Sequence, residues 1–282
     1  MYERTLISVT RAAELIESGE AVAVDCRWQL SDPAYGPRAY AEGHVPGAVY
    51  ANLDRDLSDL SKPGLGRHPL PDAAAFAAVL GRLGISPRSE VIAYDDDNGA
   101  YAARLWWLLR LAGHESVAVL DGGLAAWRAA ELPLARDVPQ PAPTQYDVRF
   151  DERAVETAES VQRMLLHGAG VLLDARGAAR FRGDEEPIDK VAGHVPGARN
   201  RPFGANLSPN GTFKAPDVLR DEFESLLGSR GPSEVVHMCG SGVTACQNLL
   251  AMEHAGLTGS HLYAGSWSGW ISDPARPVAK GP

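Results

Sequence analysis

Residues 42–48 read Glu-Gly-His-Val-Pro-Gly-Ala, and residues 192–198 read Ala-Gly-His-Val-Pro-Gly-Ala. A run of identities this long, offset by 150 residues from His44 to His194, lies outside any low-complexity tract. Further pairs fall into step around it. Asp25-Cys26-Arg27 matches Asp174-Ala175-Arg176, and Gly122-Gly123 through Trp127 matches Gly265-Ser266 through Trp270. Their offsets of 149 and 143 residues drift as loop insertions and deletions would make them drift. Solenoid repeats have periods of roughly 20–50 residues, so this spacing marks a duplicated domain instead. A length of 282 residues, at about 100–200 per domain, agrees.

Between these markers, short β-branched runs alternate with helical stretches. In the first half, strands are predicted over residues 21–25, 91–94 and 117–120, and helices over 72–83 and 100–111. The second half repeats the order, with strands over 171–174, 234–238 and 261–263 and helices over 217–227 and 243–255. Such alternation implies an α/β fold: two tandem domains, each a parallel sheet with helices on both faces. Pro133, Pro139, Pro141 and Pro143 punctuate a stretch without apolar period. The expected organisation is a first domain over 1–135, an extended, semi-rigid linker over 136–147, and a second domain over 148–282.

Chemistry concentrates in residues 237–246, His-Met-Cys-Gly-Ser-Gly-Val-Thr-Ala-Cys. Cys239 ends an apolar strand, and the glycine-bearing turn after it opens into a helix. Loop amides and the positive end of a helix dipole stabilise an anion, so the setting favours a thiolate, the nucleophilic form of cysteine. Ligands of open α/β sheets sit at the carboxyl ends of strands, where Cys239 falls. Laying one half over the other puts Asp95 opposite Cys239. The first half there reads Asp95-Asp96-Asp97-Asn98-Gly99, an acidic turn that cannot carry sulfur, so the first domain is expected to be catalytically inactive.

Composition narrows the class. Lys and Arg number 27 against 36 Asp and Glu, and the net charge of −9 argues against nonspecific binding to nucleic acid or an anionic membrane. No apolar run approaches the roughly 20 residues of a membrane span. Met1-Tyr2-Glu3-Arg4 lacks the basic and apolar regions of a signal peptide. Three cysteines are too few for a disulfide scaffold, which points to a reducing cytoplasm. No Cys/His cluster has zinc spacing and Gly122-Gly123 lacks a phosphate-loop context, so neither a metal nor a nucleotide cofactor is expected.

The paired His-Val-Pro-Gly-Ala turns, the Asp-x-Arg strand ends and Cys239 within Cys-Gly-Ser-Gly-Val-Thr-Ala together resemble the tandem rhodanese-domain sulfurtransferases. The resemblance runs through nearly the whole chain. It implies an inactive first domain and a Cys239 that becomes a persulfide, held by the loop residues Gly240, Gly242, Val243 and Thr244. The implied reaction moves sulfur from a small anionic donor to a thiol, cyanide or thioredoxin-like acceptor. Gly240-Ser241-Gly242 is similar to the mercaptopyruvate subgroup, whereas thiosulfate enzymes often carry basic residues at the first two of these positions. The mercaptopyruvate pattern also implies an Asp-His-Ser relay, matched by Asp54, His68 and Ser241, with the Asp54 to His68 interval a few residues longer than the pattern. Arg180 matches the substrate arginine, whose planar fork suits carboxylate or sulfonate oxygens. A second arginine of that subgroup follows a Glu-Pro pair. Here Glu186-Pro187 is followed by Ile188, which leaves keto-acid specificity open, with Lys190 or Arg182 as replacements. Thiosulfate:cyanide transfer through the same persulfide is the alternative.

Other attractive residues have plainer readings. Arg27 and Arg176 follow strand-ending aspartates in both halves, the inactive one included, and read as structural ion pairs. His44 and His194 read as braces of a turn, Cys26 and Cys246 as small apolar core groups, and Trp106, Trp107, Trp127, Trp267 and Trp270 as packing. His68, in Arg67-His68-Pro69-Leu70-Pro71, could equally end an irregular segment. A cysteine phosphatase needs an arginine six positions after the nucleophile, and that position is Ala245. A noncatalytic carrier of persulfide sulfur remains the competing class.

Overall fold

The computed structural model describes residues 4–96 and 98–282, so Met1, Tyr2, Glu3 and Asp97 of the sequence reading lie outside the described residues. The chain divides into two compact units. One comprises Met1–Asp59, Pro71–Asp151 and Pro209–Phe213, the other Leu60–Leu70, Glu152–Ser208 and Lys214–Pro282. The units are not contiguous halves: a short segment of each half is built into the other unit. The boundaries expected at 135 and 148 had no signal for this exchange.

In the first unit the elements run β1 (Leu6–Ile7), α1 (Val9–Glu17), β2 (Ala21–Asp25), α2 (Tyr35–Glu42), β3 (Val49–Tyr50), α3 (Ala73–Arg82), β4 (Glu90–Tyr94), α4 (Ala102–Leu111), β5 (Val117–Leu120) and α5 (Gly123–Ala129). The second repeats the series as β6 (Val155–Glu156), α6 (Ala158–Leu166), β7 (Val171–Asp174), α7 (Ala178–Arg182), β8 (Arg199–Asn200), α8 (Pro216–Leu227), β9 (Val235–Met238), α9 (Ala245–His254), β10 (His261–Tyr263) and α10 (Ser266–Trp270). Each sheet has five parallel strands, ordered β1-β5-β4-β2-β3 and β6-β10-β9-β7-β8. Strands covered on both faces need apolar residues on both, which is why Val117–Leu120 and Val171–Asp174 are buried throughout.

α4 and α9 are buried nearly all round. A helix with apolar residues on every side belongs inside a core. Even Arg104 of α4 is fully buried, its guanidinium donating to the Leu57 carbonyl. Residues of the expected linker belong to the first unit. Thr144 donates its amide to Gly81 at the end of α3 (3.0 Å), and Phe150 meets Phe76 at 5.9 Å between ring centres.

Duplication extends to the hydrogen bonds. Arg27 grips Asp25 at 2.6 Å and the Gly43 carbonyl at 2.8 Å, and Arg176 grips Asp174 at 2.7 Å and the Gly193 carbonyl at 2.8 Å. Both pairs are buried, where an ion pair survives only with its remaining hydrogen bonds satisfied. They tie each central strand to the turn holding His44 or His194, and the structural reading of both pairs agrees with this geometry. Trp127 and Trp270 donate to the carbonyls of Pro133 and Pro277, each at 2.9 Å.

Candidate active site

β9 ends at Met238, so Cys239 emerges at the carboxyl edge of the second sheet, 2% exposed. α9 begins at Ala245, two residues later than the apolar spacing predicts, because Val243 and Thr244 belong to the loop. At Gly242 the backbone turns with φ +74°, and a Cβ there would stand 2.4 Å from the Ala264 carbonyl oxygen, so only glycine fits. The turn after β10 clamps the loop from outside. Trp267 donates its amide to the Cys239 carbonyl at 3.0 Å, Ser268 donates to that of Gly240 at 2.9 Å, and the Cys239 amide donates to Ser266 Oγ at 3.0 Å.

The first unit shows what such a loop is shaped to hold. Leu124 and Ala125 clamp the Asp95 and Asp96 carbonyls there as Trp267 and Ser268 clamp Cys239 and Gly240. The buried Asp95 carboxylate accepts amides from Gly99 (2.9 Å), Tyr101 (2.8 Å) and Ala102 (3.1 Å). Counting from the helix starts and from the matching left-handed glycines, φ +71° at Gly99 and +74° at Gly242, these positions correspond to Gly242, Thr244 and Ala245. An anion cradle is thus visible in the copy without the thiol, filled by the chain's own carboxylate. Burial pushes the Asp95 carboxyl up to about 6 despite those three amides.

His68 lies in the second unit through the Leu60–Leu70 segment. Its Nδ1 stands 2.8 Å from Ser241 Oγ, and both residues are buried. Two members of the expected relay therefore meet in the cysteine loop, and the longer interval before His68 does not prevent it. Asp54 belongs to the first unit, where its carboxylate accepts from Trp28 Nε1 at 3.2 Å.

Segment 60–70 is seated on the β10–α10 turn. The Arg67 amide donates to Ser268 Oγ at 3.0 Å, and Gly66, with φ +97°, approaches so closely that a Cβ would lie 2.5 Å from the Gly265 carbonyl oxygen. Arg180, on α7, is held by Glu186 (2.8 Å) and Asp189 (3.0 Å). Burial works to raise the Glu186 carboxyl, but Arg180 and the Asp189 and Ile188 amides outweigh it and hold it below the usual carboxylate range. Arg182, named above as a replacement for the missing second arginine, is on the same helix and pairs with Asp184 at 2.7 Å. Positions two apart on a helix differ by about 200° in direction, so the two arginines still diverge. Arg67 was missed from the sequence as a site residue, because only the fold brings residue 67 to residue 240.

The remaining cysteines fit the core reading. Cys26, Cys239 and Cys246 are all free and buried. Burial pushes the Cys26 thiol well up, and Cys246 Sγ lies 3.5 Å from the Gly242 carbonyl. His237 on β9 is wholly buried without a hydrogen-bond partner, and desolvation pushes it down to about 3, so it stays neutral. Among the described residues, no three His, Cys, Asp or Glu side chains converge as metal ligands, and no helix is long and apolar enough to cross a membrane.

Comparison with known proteins agrees with the duplicated fold. The rhodanese-like domain model matches residues 8–130 and 157–273. A Pseudomonas aeruginosa protein named as a 3-mercaptopyruvate sulfurtransferase is 46% identical over 100% of both chains. SseB of Mycobacterium tuberculosis, named as a thiosulfate sulfurtransferase, is 41% identical over 99% of this chain and 98% of its own. Human 3-mercaptopyruvate sulfurtransferase is 37% identical over 97% and 94%. Among solved structures, SseA from Escherichia coli superposes with a TM-score of 0.81 at 32% identity, covering 94% of this chain and all of that one.

Proposed function

This chain belongs to the rhodanese family of sulfurtransferases, and on that premise we propose that it takes sulfur from 3-mercaptopyruvate onto Cys239 as a persulfide and passes it to a thiol. In the first half-reaction the Cys239 thiolate attacks the donor's sulfur. An S–S bond forms, the C–S bond breaks, and its electron pair leaves as the enolate of pyruvate. The donor's thiol proton ends on that enolate, giving pyruvate and a cysteine persulfide. In the second half, an acceptor thiolate attacks the terminal sulfur and releases Cys239 as thiolate. Pre-oriented amides at Gly240, Gly242, Val243 and Thr244 would stabilise the sulfur anion in both halves.

One observation carries the choice of donor: His68 Nδ1 at 2.8 Å from Ser241 Oγ, in the cysteine's own loop. Mercaptopyruvate brings a thiol proton that must be moved, and a hydroxyl–imidazole pair can move it. The outer sulfur of thiosulfate carries no proton at neutral pH, so the pair would have no task. Thiosulfate is the second reading because SseB carries that name at 41% identity and because guanidinium groups suit a sulfonate as well as a carboxylate. Cyanide and a thioredoxin-like protein are alternative acceptors, Asp54 is the third relay residue to test, and the reducing cytoplasm is the compartment in which three free thiols persist.

The test is steady-state transfer with each donor, with mass spectrometry of the protein after donor alone. Wild type should gain one sulfur atom and release pyruvate, with kcat/KM for mercaptopyruvate well above that for thiosulfate. Cys239→Ser should neither gain the sulfur nor turn over. Full activity in that variant would refute the scheme, and a thiosulfate preference would refute the choice of donor.

A further inference from the structure

We propose that a groove on the first unit is a second binding site, one that takes an arene carboxylate, a flat apolar ring system ended by a single acidic group. The groove encloses about 820 Å³ and is lined by Pro37, Tyr40, Tyr50, Ala77, Pro139 and Pro141, with Arg55 and Arg82 among its walls. A mostly apolar cavity of roughly 300–1,000 Å³ with a few charged groups is the make-up of a small-molecule site. Its walls are fixed. Residues 138–144 sit so close to the end of α3 that a Cβ at Gly81 would lie 2.6 Å from the Thr144 carbonyl oxygen, and one at Gly84 2.6 Å from Pro141 Cβ. The Tyr50 phenol packs on α2, where a Cβ at Gly36 would meet its oxygen at 2.1 Å. Both phenols spend their protons within the protein, Tyr40 on the Ala48 carbonyl at 2.6 Å and Tyr50 on that of Arg27 at 3.1 Å.

The groove also carries a local surplus of positive charge. The buried Asp56 carboxylate accepts from Arg55 Nη2 at 2.9 Å, from Arg82 Nη2 at 2.6 Å and from the Asn52 amide at 2.8 Å. Two guanidinium groups against one carboxylate leave a single positive charge, on a chain whose net charge is −9. A monoanion balances that charge, whereas a phosphate dianion would overshoot it. Asp56 fixes both forks, and Nη1 of each arginine has no acceptor among the described residues, so an N–H of each is left for a carboxylate oxygen. The rings of Tyr40 and Tyr50, 5.4 Å apart between centres, and the prolines offer flat faces to an arene. Burial pushes the Tyr40 phenol up to about 12, so it stays neutral beside an anion. The cluster has no counterpart in the second unit. At the offset of 150 residues Arg55 and Asp56 become Ala205 and Asn206, and at the offset from Ala73 to Pro216, 143 residues, Arg82 becomes Ser225. The groove beside Phe181 and Asn200 there encloses about 380 Å³, and its Arg182 is already paired with Asp184.

The experiment titrates 2-naphthoate into the whole chain by calorimetry, with 2-naphthylmethanol as its uncharged counterpart. Wild type should bind the acid saturably and the alcohol at least about 10-fold more weakly, the size of a lost charged hydrogen bond. Arg55→Gln/Arg82→Gln should weaken the acid about 10- to 100-fold and leave the alcohol unchanged. Ala78→Trp, at an exposed position on the groove wall, should abolish binding of both. Arg180→Met should bind the acid as wild type does, which separates this groove from the cysteine loop. No saturable binding by wild type, equal affinity for acid and alcohol, or wild-type affinity for the acid in either groove variant overturns the proposal. The alcohol and Ala78→Trp keep the test open even if the double arginine variant fails to fold. Loss in Arg180→Met with none in Ala78→Trp would put the anion at the cysteine loop and overturns the proposal as well.

Discussion

His68 and Ser241 are 173 positions apart in sequence and 2.8 Å apart in space. If they act as one proton-handling unit, removing either should cost most of what removing both costs. His68→Ala and Ser241→Ala are each expected to lower kcat for mercaptopyruvate about 10²- to 10⁴-fold, with the double variant little worse than either. Multiplying losses would show two independent roles. At this scale the sequence was legible wherever a residue's task is set by its neighbours in the chain. The place of Cys239 between strand and helix was readable because strand, glycine turn and helix are local. Arg67 was not, since an arginine beside a histidine in a proline-rich stretch carries no sign of where the stretch will lie. The ordinary readings of Arg27, Arg176, Cys26 and Cys246 stood because burial and pairing account for each of them.

A strand, its loop and the following helix form the element that the two units vary. After β9 the loop opens with Cys239; after β4 the matching loop turns its amides onto the Asp95 carboxylate. The folded state raises the Asp95 carboxyl from 3.8 to about 6, so native protein binds this proton more tightly than unfolded chain. Stability from that group is fully present below about pH 4 and lost as pH rises through about 6, by roughly 3 kcal/mol. Urea unfolding of wild type and Asp95→Asn at pH 4.5 and pH 7 should therefore show the difference between them moving against wild type at the higher pH. A difference independent of pH would mean that the amides fully offset burial. Elements were legible in proportion to their burial: residues 21–25, 117–120, 171–174 and 261–263 are strands as patterned. The two-residue edge strands β1, β3, β6 and β8 are too short to leave a period, and the α9 start was misplaced because Val243 and Thr244 are apolar or β-branched for the loop's sake.

At the scale of the molecule, duplication was plain in the sequence but the exchange of segments was not, since a repeat offset reports likeness and says nothing of where a loop travels. Residues 148–282 contain Cys239, Ser241 and Arg180 yet lack segment 60–70. That fragment, even with native circular dichroism, is expected to turn over mercaptopyruvate at least about 100-fold more slowly than the full chain, because it lacks His68. Wild-type turnover by the fragment would show segment 60–70 to be dispensable.

The seat of that segment on the β10–α10 turn also bears on inheritance. A copy that has lost its nucleophile is ordinarily free to decay or be deleted. On the proposed scheme the nucleophile takes its histidine from a segment of the other repeat, so the two copies have to be kept together. On that scheme, any recombination that parted the repeats would strand the cysteine from its proton handler.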